Sequence, residues 1–393
     1  KAAEKKAAEA AKKAKKKGKV ELTERKELSL NDKIKELKED ISKTKYNKKT
    51  QHAIGLMKAK LAMMTDRAVK RSSAGKASGD QRFSVSRTGD CTAVLLGFPS
   101  VGKSTLLNKI TNAKSEIAQY SFTTLSAVPG LLKYKFAKIQ IIDVPGIVSG
   151  AAAGKGRGRE VLNLVRSADI ILVLIDALYP QHNEAILKEI YDTGVRINKE
   201  KPYVIITKKA RGGVNVGSTI KLTRIDEKTV KDIAREMRLN NADILIKSDI
   251  DADEFIDVIR EDTVYPKSLT ILTKIDLVSE EKLENLKKRI KPDICISAEK
   301  GIGIEELKEA IYSKMKFVRI FLKEQNKKAD MEEPLMMFKG CTVKDVCLKL
   351  HKDFVNKFKF VRVWGSSAKF DGQKFKKMDK KLADKDIIEI RIS

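Results

Sequence analysis

The segment Gly97-Phe98-Pro99-Ser100-Val101-Gly102-Lys103-Ser104 has the build that a polyphosphate requires. Gly97 and Gly102 let backbone N–H groups converge on phosphate oxygens, and a helix opening at Lys103 adds the positive end of its dipole. The Lys103 ammonium would reach the β- and γ-phosphates, and the Ser104 hydroxyl would ligate Mg²⁺. Pro99, Ser100, Val101 and Thr105 complete the expected phosphate cradle.

Asp143-Val144-Pro145-Gly146 ends an apolar run further along the chain, where a carboxylate can hold Mg²⁺ through water and the Gly146 N–H can face the γ-phosphate. Asp and Pro-Gly are ordinary turn residues, so this motif gains its meaning from its place after the phosphate loop and at a strand end. Between the two lies Phe122-Thr123-Thr124, where a loop could close a hydroxyl on the metal. Thr124 is the preferred ligand, with Thr123 as the alternative. The expected metal set is therefore Ser104, Thr124 and Asp143, and the expected catalytic set Lys103, Thr124 and Gly146.

The base is read elsewhere. Thr273-Lys274-Ile275-Asp276 follows an apolar strand, and a carboxylate at Asp276 accepts both the N1–H and the N2–H₂ hydrogens of guanine, a fit adenine does not offer. The Lys274 stem would lie along the purine face. Ser297-Ala298-Glu299 would supply a backbone N–H to guanine O6. Together these features point to GTP. Ile147 stands directly after the Gly146 position, where related chemistry uses a Gln to orient water, and an apolar side chain cannot do so. Slow intrinsic hydrolysis is expected. Arg157 and Arg159 could contact either developing phosphate charge or RNA, and the glycines of 150–158 suit a rearranging switch.

These residues need a frame that delivers them to one edge. Thr92–Leu96, Ile139–Ile142, Ile170–Ile175, Leu269–Thr273 and Ile294–Ser297 are near-continuous apolar runs, as parallel strands covered on both faces must be. Helical stretches at 104–112, 160–167, 183–193, 280–290 and 303–314 alternate with them, which predicts an α/β doubly wound sheet. The rhythm breaks at 195–267, read as an insert with a helix near 227–238. After 317 a small α+β module follows, with strands at Phe317–Leu322, Phe360–Trp364 and Ile387–Ile392 and a helix near 342–351. Ahead of the sheet, Leu30, Ile34, Leu37 and Ile41, then Ile54, Met57, Leu61 and Met64, recur at helical spacing and predict a hairpin with one shared apolar seam. The expected division is a basic tail (1–27), hairpin and linker (28–80), nucleotide domain (81–194 and 268–316), insert (195–267) and C-terminal module (317–393).

Charge narrows the partners. The 393 residues carry 81 Lys and Arg against 53 Asp and Glu, a formal net charge of +28. Residues 1–90 hold 26 of the basic side chains and 12 of the acidic ones. Such a surplus attracts polyanions by counterion release, without base specificity, so RNA or a ribosome is favoured and no DNA-specific binding is expected. The longest apolar run, 170–175, is far below the ~20 residues of a membrane helix, so no membrane partner is expected. Cys91, Cys295, Cys341 and Cys347 form no CxxC pair and fit a reducing cytoplasm rather than a disulfide framework. His52 and His351 read as surface or packing residues, and Trp364 as packing within its module. The sequence opens on Lys1 rather than Met, which suggests that it begins inside a longer product.

Several of these segments resemble the Obg-type P-loop GTPases, and among them the developmentally regulated GTP-binding proteins. The marks are 97–105, Phe122-Thr123-Thr124-Leu125, Asp143–Gly146, the glycine-rich 150–161, 47–62, Asn241-Ala242-Asp243-Ile244 and 358–365. The resemblance implies a basic helical hairpin, a GTPase domain broken by an insert like a ribosomal-protein domain, a C-terminal TGS module of β-grasp type, and association with translating ribosomes. Two positions depart from the family pattern. Thr273 replaces the usual Asn that braces the base-reading loop, so weaker guanine affinity is expected. Ser100 replaces the Asn that often marks potassium-activated relatives, which leaves K⁺ an undecided cofactor beside Mg²⁺. The expected function is a cytoplasmic GTPase docking on a ribosome or RNA with an accessory protein as a further partner; the alternatives are a GTP-regulated protein-binding switch in signalling and a nucleotide-promiscuous ATPase.

Overall fold

The computed structural model describes residues 30–45, 47, 49–73, 89–111, 128–144 and 164–392. They divide into two compact units, one from the ranges Lys1–Gln81 and Glu200–Thr263, the other from Arg82–Lys199 and Val264–Ser393. Among the described residues no helix is long and apolar enough to cross a membrane.

The first unit contains helices α1 (30–43) and α2 (Gln51–Ser73) and the segment 200–263. That segment forms strands β5 (Val204–Lys208), β6 (Val214–Ser218) and β7 (Ala242–Ile246) in the order β5-β7-β6, with helices α6 (Glu227–Glu236) and α7 (Ala252–Arg260). The expected seam differs in detail. Among the described residues of α2, Ile54, Gly55, Ala59 and Ala62 are buried, whereas Met57, Leu61 and Met64 are half-buried, as are Leu30, Ile34, Leu37 and Ile41 of α1. Small residues decide this, because a Cβ on Gly55 would lie 3.2 Å from Thr229 Cγ2 and 3.3 Å from Ile233 Cδ1 of α6. The α2 backbone thus packs closely on α6, and His52 adds a 3.0 Å contact from Nε2 to Asp232 Oδ2.

In the second unit a six-stranded sheet runs β2-β3-β1-β4-β8-β9. Its strands are β1 (Cys91–Leu96), β2 (Val128–Tyr134), β3 (Ala137–Asp143), β4 (Ile170–Asp176), β8 (Lys267–Thr273) and β9 (Ile294–Cys295). All pairings are parallel except β2 with β3. The period of two explains the unbroken apolar run of β4. Ile170, Leu172 and Leu174 join the core under α3 (Lys103–Ile110) and α9 (Ile304–Met315), while Ile171, Val173 and Ile175 join the core under α4 (164–167), α5 (His182–Asp192) and α8 (Glu280–Ile290). Strand β2 escaped the sequence reading because Pro129-Gly130 reads as a turn; as an edge strand it tolerates both, and Gly130 is required since a Cβ would lie 2.4 Å from Thr111 Cγ2.

The C-terminal module is a five-stranded sheet, β11-β10-β14-β12-β13. It comprises β10 (Phe317–Leu322), β11 (Leu335–Phe338), β12 (Phe358–Trp364), β13 (Gln373–Phe375) and β14 (Asp386–Ile392), with α10 (Val343–Leu350) and α11 (Lys352–Asn356). Val343, Val346 and Cys347 of α10 pack on Val318, Ile320, Val361, Val363 and Ile388. Trp364 is half-buried in this module, with the Lys323 ammonium 4.4 Å from its ring.

Candidate nucleotide site

The phosphate loop joins β1 to α3, and its conformation follows from two residues. Ser100 at φ 62° and Gly102 at φ 95° turn the chain through the left-handed region, a geometry in which successive N–H groups form an anion-binding concavity. Gly97 is fixed by space, because a Cβ there would lie 2.8 Å from Val101 Cγ1 and 3.0 Å from the Leu174 carbonyl. Pro99, Ser100, Ser104 and Thr105 are exposed, and Val101 is buried beneath them.

Lys103 opens α3 and is only 8% exposed. Its ammonium donates to the carbonyls of Gly97 at 2.9 Å and Phe98 at 3.0 Å, which holds it over the loop. Burial lowers its pKa, and the Asp143 carboxylate acts against that shift. Asp143 closes β3 beside β1, and its Oδ2 accepts from Ser104 Oγ at 3.0 Å. Asp143 Oδ1 is buried and has no hydrogen-bond partner among the described residues. One hydroxyl, one carboxylate with a spare buried oxygen and an adjacent anion cradle suit Mg²⁺, which keeps several waters and takes phosphate oxygens for the rest.

The base-reading loop follows β8. The Thr273 hydroxyl is 3.0 Å from the Val101 carbonyl and 3.1 Å from the Ile175 carbonyl, so this threonine does tie the loop to the phosphate cradle. A hydroxyl has one hydrogen and serves one of these acceptors at a time, where an Asn amide could serve both. Lys274, at φ 57°, pairs with Asp176 at 2.8 Å. Asp276 is lowered from its ordinary carboxylate pKa, chiefly by a hydrogen bond from Ser297, with Lys300 at 3.9 Å adding to the effect. Ser297 is buried, and its own N–H donates to the Ile302 carbonyl at 3.0 Å. The amide this segment can offer a base is therefore that of Ala298, which is half-buried, rather than that of Ser297.

Lys103, Ser104, Asp143, Thr273, Lys274, Asp276, Ser297 and Ala298 thus all lie at the C-terminal ends of the parallel strands or in the segments directly following them. Thr124, Gly146, Ile147, Arg157, Arg159 and the glycine-rich 150–158 lie outside the described residues. Asp176 was missed by sequence reasoning, although the signal was a carboxylate ending the all-apolar run 170–175. It is 5% exposed, and its Oδ1 accepts from the Leu178 N–H at 2.8 Å. A second unforeseen feature is a stack of rings beside the loop, Phe98 on His182 at 4.1 Å and His182 on Tyr179 at 5.6 Å.

Comparison with known proteins adds to this geometry. Residues 92–209 match the model of the 50S ribosome-binding GTPase family, 211–317 the C-terminal region of that domain, and 318–392 the TGS domain. An uncharacterized GTP-binding protein of Methanocaldococcus jannaschii is 50% identical over 369 residues, 93% of each chain. Developmentally-regulated G-protein 3 of Arabidopsis thaliana is 41% identical over 366 residues, covering 92% of this chain and 98% of its own. Among solved structures, the G domain of the FeoB iron transporter of T. maritima aligns with 57% of this chain and 98% of its own, at 18% identity and a TM-score of 0.33.

Proposed function

Because the chain belongs to the developmentally regulated GTP-binding proteins, P-loop GTPases that carry a C-terminal TGS domain, we propose that it hydrolyses GTP to GDP and phosphate and couples this to docking on a ribosome or RNA. The observation that carries the reading is the meeting of Ser104 and Asp143 beneath the loop, with a buried Asp143 oxygen left for a metal-bound water.

On this reading the loop amides and the Lys103 ammonium hold the β- and γ-phosphates. Each is already in place before charge develops on them, so little reorganisation is needed. Bound Mg²⁺ would supply further charge neutralisation at those oxygens, held by Ser104, Asp143 and, from the sequence, Thr124. Asp276 accepts from guanine, Ala298 donates to it, and the Lys274 stem covers its face while Asp176 holds the ammonium. From the sequence, the Gly146 amide would face the γ-phosphate, and Ile147 offers no polar side chain to the attacking water, so hydrolysis by the isolated protein should be slow. K⁺ is a candidate activator beside it.

The ribosomal part of the reading is supported by the family description matched over 92–209 and by the net charge of +28. Co-sedimentation with ribosomes tests it, using a non-hydrolysable GTP analogue against GDP, over a salt series and with RNase. Binding that depends on the triphosphate and is lost with RNase agrees with the proposal. Retention by acidic proteins after RNase would instead favour a protein-binding switch.

A further inference from the structure

In the segment 200–263, Lys208, Lys209, Arg211 and Arg238 lie at or next to one end of the small sheet. Lys208 closes β5 and is in register with Ala242 of β7, which is in turn in register with Val214 of β6. The turn between β5 and β6 is Lys209-Ala210-Arg211-Gly212-Gly213, with Gly212 at φ 106° and Gly213 at φ 71° and nothing within 4 Å of a Cβ at either. Positive φ rather than crowding therefore explains the two glycines, and the space beside their Cα atoms is open. Near this turn, α6 ends at Glu236 with Met237 as its C-cap, and Arg238 follows at φ 64° with its N–H on the Arg235 carbonyl. Glycine is the default in that left-handed position, yet a guanidinium occupies it.

Lys208, Lys209, Met237 and Arg238 line an open concavity of about 490 Å³, and Arg211 lies on the turn that follows Lys209. Its apolar lining is Ile206, Met237, Leu239 and Ile259; its polar rim is Lys208, Lys209, Arg238, Asn240, Asn241 and Glu261. Lys209 pairs with Asp243, and the Asn241 side-chain oxygen accepts from the Gly213 N–H at 2.9 Å, which leaves the Asn241 NH₂ as donor.

We propose that this end of the segment binds single-stranded RNA, one unpaired base lying on the apolar floor and the adjoining phosphates on Lys208, Arg211 and Arg238. The volume suits one nucleotide rather than a helix or a folded peptide. Hydrogen bonds to base edges, which the Asn241 NH₂ can give, and cations along the backbone, which Lys208, Arg211 and Arg238 can give, are among the contacts that hold unpaired strands. The inference rests on the RNA reading above and goes further by placing the contact.

Fluorescence anisotropy with the full chain and a labelled mixed-sequence oligoribonucleotide of about twelve nucleotides tests it. The triple variant Lys208→Gln, Arg211→Gln, Arg238→Gln is compared with a charge-matched control, Lys201→Gln, Lys221→Gln, Lys228→Gln. At about 0.7 per lost single-strand phosphate contact, the slope of log K against log salt falls by about 2 in the first and stays near the parent in the second, with affinity down about tenfold or more only in the first. Arg238→Gly alone keeps or raises the thermal midpoint, since glycine suits its backbone, yet weakens RNA binding about threefold or more. Equal weakening in both triple variants would overturn the site, as would displacement of the RNA by polyglutamate at equal charge concentration. If the parent binds RNA and ribosomes while the first variant matches the control, only the placement falls. If the parent binds neither, the RNA reading itself falls.

Discussion

Replacing Thr273 by Val tests the join between the base-reading loop and the phosphate cradle. The two side chains have the same shape, so the change removes only the hydroxyl that lies 3.0 Å from the Val101 carbonyl and 3.1 Å from the Ile175 carbonyl, at a position 3% exposed. One hydrogen bond is lost and a buried acceptor is left unsatisfied, which costs about 1–3 kcal/mol. If half of that appears as a looser cradle, GTP affinity falls about two- to twelvefold, each 1.4 kcal/mol being about tenfold. Thr273→Asn should go the other way, because its two N–H groups can serve both carbonyls at once, giving affinity equal to the parent or up to about tenfold tighter. Titration calorimetry with GDP and GTP in Mg²⁺ reads both variants. Affinities within twofold of the parent for both would show that the threonine does not brace the loop.

Asp143→Asn should remove the Mg²⁺ dependence of GTP affinity, since an amide is a poor metal ligand, and calorimetry with and without the ion reads that loss. The lowered pKa of Asp276 sets a pH window: a depressed carboxylate contributes above its ordinary value of 3.8 and loses that contribution only as pH falls through its lower folded-state value. Preference for GTP over ATP should therefore be flat from about pH 8 to about pH 5, and a fall within that range would contradict the assignment. Burial pushes the Cys341 thiol up to about 11, so it should resist iodoacetamide at about pH 8 until the module is unfolded, as a mass spectrum of trapped thiols would show. Gly55→Leu should destabilise α2 against α6 by about 1–3 kcal/mol, read as faster amide exchange in both helices.

Much of this site was legible because its chemistry is local. The phosphate loop, Asp143 and the Thr273–Asp276 segment each declare themselves by residue type beside an apolar run, and parallel strands bring such ends to one edge. What stayed hidden depends on pairing across the fold. Asp176 is an ordinary aspartate in sequence and acquires meaning only when β8 brings Lys274 to it. The Thr273 substitution read as a loss until the Val101 carbonyl appeared opposite its hydroxyl. In the same way, helical spacing located α2 but not its packing face, because Gly55 and Ala59 bury by close backbone approach rather than by apolar bulk. Strands β5, β6 and β7 are short and half-exposed, so the periodicity that marks the main sheet was too weak to mark them.

The central claim is that the loop ending at Lys103 and the carboxylate of Asp276 hold one guanine nucleotide between them. Competition for bound fluorescent GTP in Mg²⁺ tests it directly, with unlabelled GTP and ATP against the parent and against Asp276→Ala. GTP should displace the probe at least about a hundredfold more effectively than ATP in the parent, as loss of a matched polar pair implies, and that ratio should collapse in the variant. Equal displacement by the two nucleotides in the parent, or a ratio unchanged by Asp276→Ala, would contradict it.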